Sequence, residues 1–66
     1  MELVIDVHSK DGKVLAVYQN GRRVTHHFVA LDDALVSATQ KGWQCCGTVP
    51  LTCDPTVKVT TFTKTI

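Results

Sequence analysis

Three cysteines, Cys45, Cys46 and Cys53, fall close together in the stretch WQCCGTVPLTC, and His26 and His27 stand upstream of them. These residue types can hold zinc, close a disulfide, or act as nucleophile and base. Their spacing argues against each. Zinc-chelating cysteines are commonly separated by about two to four residues. Adjacent residues of a strand point to opposite faces, so Cys45 and Cys46 do not converge on one ion. The gap from Cys46 to Cys53 is too long for a knuckle. A disulfide from Cys53 to either Cys45 or Cys46 would close a short loop; the spacing does not choose between them, and a reducing cytoplasm disfavours both. A catalytic cysteine with His27 as its base needs a third, orienting group and a concave site. The three cysteines therefore read as small hydrophobes, with one of Cys45 and Cys46 facing a core and the other facing out. No catalytic residue, metal or cofactor is expected.

The chain that must position these residues is short. Its 66 residues make a single small domain, residues 1–66. A domain this size buries only about 60% of its unfolded surface, so its core is thin. Seven basic and six acidic residues leave a net charge of +1, and Arg22-Arg23 is the only adjacent basic pair. With no basic stripe and only four aromatic residues, direct nucleic-acid binding is not expected. Apolar runs are too short to span a bilayer, and MELVIDVHSK carries no secretory signal. The expectation is a cytoplasmic protein with no membrane contact.

Leu3, Ile5 and Val7 alternate with polar neighbours, a period of two that predicts a first strand. Asp11-Gly12 marks a turn, and Lys13–Gln19 is a second strand. Asn20-Gly21 is a strong two-residue hairpin signal, and Arg22–Val29 is a third strand. Register then assigns the faces. The Asn20-Gly21 loop pairs Gln19 with Arg22 and Val17 with Val24. A three-residue first loop, Lys10-Asp11-Gly12, pairs Val7 with Leu15 and Ile5 with Val17. This places Leu3, Ile5, Val7, Leu15, Val17, Val24 and Phe28 on a core face. Val4, Asp6, His8, Val14, Ala16, Tyr18, Arg23, Thr25 and His27 take the other.

Leu31, Ala34, Leu35 and Ala38 form an apolar stripe at helical spacing, predicting a helix over about residues 31–41. Gly42 caps its end with Trp43 folding back, and Asp32 stands in for a weak N-cap at Ala30. A short strand follows over 43–49. The Thr-rich tail, 56–65, is a last strand whose alternation slips near Thr60-Thr61, predicting a bulge or an edge. The expected fold is an α+β two-layer sandwich: an antiparallel meander with one helix on one face, βββα, followed by one or two strands.

A solvent-facing sheet face should be polar. Here it centres on Val4, Val14, Ala16 and Tyr18, with a polar and arginine fringe, which is the composition of an interface. Heteromeric binding and self-association account for it equally well.

Two stretches carry a resemblance. LAVYQNGRRV (15–24) resembles a hairpin segment of small phage-encoded anti-CRISPR proteins. FVALDDALVSA (28–38) resembles the strand-to-helix entry of several tiny phage inhibitors, including those of host RNA polymerase. Together they cover about a third of the chain. The resemblance implies a stoichiometric inhibitor whose hairpin tyrosine, matched by Tyr18, lies on a partner-facing sheet surface. The chain departs from that pattern in its shorter hairpin-to-helix spacing and in a Cys-rich loop and Thr-rich strand where a second helix would stand. The expectation is a non-enzymatic binding protein of phage or mobile-element origin that blocks a bacterial CRISPR-Cas effector or similar nucleic-acid-processing complex. Its partner-binding residues would be Val14, Ala16, Tyr18, Asn20, Arg22, Arg23 and His27. The alternative is a homodimeric structural or antitoxin-like module.

Overall fold

The computed structural model describes residues 1–66. Five strands and one helix follow in the order β1 (Glu2–Lys10), β2 (Lys13–Gln19), β3 (Arg22–Val24), α1 (Leu31–Gln40), β4 (Gln44–Pro50) and β5 (Lys58–Thr65). All strands join one antiparallel sheet of order β3-β2-β1-β5-β4. The two-layer sandwich expected from the sequence does not form. A ten-residue helix is about 15 Å long and about 10 Å wide, whereas five strands at about 4.8 Å spacing are roughly 20 Å across. The protein is mostly antiparallel sheet, and its single short helix covers only part of one face.

The two hairpin turns share one chemistry. Asp11 and Gly12 have φ of 52° and 76°, and Asn20 and Gly21 have φ of 51° and 84°, the paired positive values of a type I′ turn. The Asn20-Gly21 register is the expected one, pairing Gln19 with Arg22 and Val17 with Val24. The first turn is not: it has two residues, pairing Lys10 with Lys13. That register alone would bring Tyr18, not Val17, opposite Ile5. A bulge corrects it. Ser9 pairs with Val14 and His8 with Ala16, leaving Leu15 unpaired. The extra residue restores parity, so Val7 meets Val17. It also exchanges two neighbours. Val14, expected on the open face, packs against the core, and Leu15, expected in the core, is 49% exposed.

β3 ends at Val24 rather than Val29. Residues 25–29 leave β2 and rejoin it where Lys13 bridges Ala30 and the Val14 N–H donates to Val29 O at 2.8 Å. The Leu31 N–H at the start of α1 donates to Gly12 O, also at 2.8 Å, which serves an orphan helix donor through tertiary structure. Asp32 does not cap; the N-cap is Ala30, with no side-chain bond. The other end is as expected. Trp43 N–H donates to Ala38 O at 2.9 Å and Gly42 N–H to Thr39 O at 3.1 Å, with Gly42 at φ 86°, a complete Schellman motif.

The tail is neither an edge nor bulged. β5 lies between β1 and β4 and pairs without a break from Glu2–Thr65 to Ser9–Lys58. The bulge lies on β4, between Cys45 and Gly47. Val7, Val17 and Phe62 form the buried core, with Ile5, Val14, Val24, Leu31, Leu35, Ala38 and Trp43 packed around it. Thr60 is also buried, its hydroxyl 3.0 Å from that of Thr48.

Candidate functional site

Register places the residues of the uncovered face side by side. Tyr18 lies between Asp6 on β1 and Arg23 on β3, and His8 lies between Ala16 on β2 and Val59 on β5. The rings of His8 and Tyr18 pack at 4.7 Å between centroids, tilted by 47°, within the range of favourable aromatic pairing. Asp6 Oδ1 accepts a hydrogen bond from Thr61 Oγ1 at 2.8 Å, which fixes the carboxylate against its neighbouring strand. Beyond it, Val4 pairs with Thr63, and Val59 with the exposed Val49. The C-terminal strands thus widen this face instead of covering it.

Of the residues expected to bind a partner, Ala16, Tyr18 and Arg23 share this face. Asn20 is occupied in the fold. Its N–H donates to Val4 O at 2.9 Å and its Oδ1 accepts from the Val4 N–H at 3.0 Å, so the turn is tied to β1. Arg22 pairs with Gln19 and lies on the helix side. Val14 is turned to the core by the bulge. His27 leaves the sheet with residues 25–29 and lines a cleft beside α1.

That cleft, of about 320 Å³, lies between α1 and the sheet on the helix side. Phe28, expected in the core, is one of its walls, as is His26. The Nδ1 of His26 is buried with no hydrogen-bond partner; an unpaired buried polar atom costs about 1–3 kcal/mol.

The cysteines are placed differently from the expectation of small buried hydrophobes. Cys45, Cys46 and Cys53 are all exposed and free. Cys45 does pair with Phe62 on the helix side, but β4 is an outer strand, and all of its residues are exposed. Cys46 faces the open side, its Sγ 3.5 Å from Thr63 Oγ1. Cys53 lies in the β4–β5 loop, where Asp54 Oδ1 accepts bonds from the N–H and hydroxyl of Thr56 at 3.1 and 2.6 Å. The Thr56 hydroxyl, then its N–H, hold the Asp54 carboxyl below its ordinary range. No three His, Cys, Asp or Glu side chains gather into a metal-binding group.

No family model, curated protein or solved structure matches the chain. No helix is long and apolar enough to cross a membrane. The open face and the cleft are therefore read from their own chemistry.

Proposed function

We propose that this is a non-enzymatic binding protein that presents its open sheet face, centred on Tyr18 and His8, to a partner protein. The observation that carries this reading is the face itself. An aromatic pair and Val4, Ala16 and Val59 lie at its centre, Asp6 and Arg23 lie beside them, and no element of the chain lies over it. The molecule measures 32 × 21 × 21 Å. A face of that outline is on the order of 700 Å², close to the roughly 800 Å² per partner of a stable interface. The resemblance of LAVYQNGRRV and FVALDDALVSA to phage inhibitors supports a bacterial nucleic-acid-processing complex, a CRISPR-Cas effector or similar, in the host cytoplasm as the partner. Purified effector complexes titrated with the protein test this: one should be inhibited stoichiometrically, and Tyr18→Ala with Arg23→Glu should abolish inhibition while leaving the circular dichroism spectrum unchanged. Full inhibition by that double variant would remove the face from the account.

The second reading is a homodimer, favoured by β4. This outer strand is exposed along its whole length, with Val49 at 59%, and an outer strand presents unpaired backbone groups to a second chain. Light scattering separates the two readings. A dimer dispersed by Val49→Lys supports self-association; a monomer at working concentration eliminates it.

A further inference from the structure

We propose that the cleft between α1 and the sheet binds a free amphipathic anion, a single short apolar chain with a carboxylate head. This site lies on the face opposite the proposed partner surface and is independent of it. Its volume of about 320 Å³ is at the small end of the roughly 300–1,000 Å³ of ligand sites, a size for one short chain. The floor is apolar: Val7, Val17 and Phe62 line it from the sheet. α1 contributes Ala34, Ser37 and Ala38, side chains too small to fill the space they face.

The charge around the cleft is one-sided. No carboxylate lines it; Lys41 supplies a cation, and the imidazoles of His26 and His27 supply hydrogen-bonding nitrogens. Register extends this to the whole end of the sheet. Arg22, paired with Gln19, and Lys64, paired with Leu3, lie on the helix side at that end of the sheet, whereas Glu2 and Asp6 lie on the open face. Asp11 lies at the opposite end in the first turn, Asp32 and Asp33 in the first turn of α1 beside Gly12, and Asp54 in the β4–β5 loop. The C-terminus of α1, the negative end of its dipole, could oppose an anion. The carbonyls of Ser37, Ala38 and Thr39 are engaged by N–H bonds from Lys41, Gly42 and Trp43, and Lys64 Nζ donates to Lys41 O at 2.8 Å. The apolar floor, with Lys41 in its lining and Arg22 and Lys64 on the same side of the sheet, matches a chain with an anionic head.

Trp43, the only tryptophan, lines the cleft and reports on it. Decanoate, titrated below its micelle concentration, should change Trp43 fluorescence saturably with one-to-one stoichiometry. Decyltrimethylammonium should bind at least tenfold more weakly. Lys41→Glu, at an exposed position, should weaken decanoate at least tenfold with an unchanged circular dichroism spectrum. Ala38→Leu, which fills the cleft, should do the same. Tyr18→Ala should leave decanoate binding intact, which separates this site from the open face. The proposal is overturned if the cationic chain binds as tightly as decanoate, if Lys41→Glu has no effect, or if the protein ignores decanoate and binds vesicles of anionic phospholipid.

Discussion

The two faces of the sheet are built by the same strands and differ in what lies over them. On the helix side, Val7, Val17 and Phe62 are packed under Leu31, Leu35 and Ala38, and the residues there hold the fold together. On the other side, Tyr18, His8, Val4 and Val59 are only half-buried by their lateral neighbours. Apolar character alone does not identify a core residue in a small sheet. Burial requires a cover, and ten residues of helix supply cover for part of one face. Side chains on the covered face should govern stability, and those on the open face should govern association.

Phe62→Ala offers the largest test of that division. Truncating a buried phenylalanine costs about 3–5 kcal/mol, much of the stability of a marginal domain, so the urea midpoint should collapse. Next is the helix end that carries Trp43 over the cleft. Gly42 sits at φ 86°, where a side chain is strained, so Gly42→Ala should cost about 1 kcal/mol. Leu15 sharpens the comparison from the opposite direction. As the unpaired bulge residue it is half exposed, so Leu15→Ala should change stability by less than about 1 kcal/mol, against the roughly 2–5 kcal/mol of a buried leucine.

The smallest effect is at the far loop. The bonds from Thr56 hold the Asp54 carboxyl below its ordinary range in the folded protein. A depressed folded pKa means that the ionised form is favoured by folding. This contribution is present above the unfolded value, near 3.9, and is lost as pH falls through the lower folded value. Asp54→Asn should therefore flatten the acid limb of a stability-versus-pH curve by lowering stability slightly at neutral pH, and leave the acid end unchanged.

What could be read in the sequence follows from how local each signal is. The Asn20-Gly21 hairpin, the helix expected over about residues 31–41 and its Gly42 cap rest on neighbours in the chain, and they form, the helix ending one residue earlier at Gln40. Tyr18 reaches the open face because only the β2–β3 turn sets its pairing with Arg23. The first hairpin was harder. The need to bring Val7 onto the core face was legible, but a two-residue turn with a bulge at Leu15 meets it as well as a three-residue turn, and the choice reverses Val14 and Leu15. Phe62 and Thr60 were hidden because the slip in alternation near Thr60-Thr61 reads as a bulge or an edge, while the central place of β5 is decided by pairing with β1 at the other end of the chain. The cleft was not legible at all. It arises because residues 25–29, which read as the continuation of a strand, leave the sheet after Val24.

If the open face is the working surface, affinity capture from bacterial lysate should depend on it. The wild-type protein and the Tyr18→Ala, Arg23→Glu double variant are immobilised side by side, and retained proteins are quantified by mass spectrometry. The account predicts one complex held in stoichiometric amount by the wild type and lost from the double variant, with both showing the same circular dichroism spectrum and melting temperature. Equal retention by the two would contradict it.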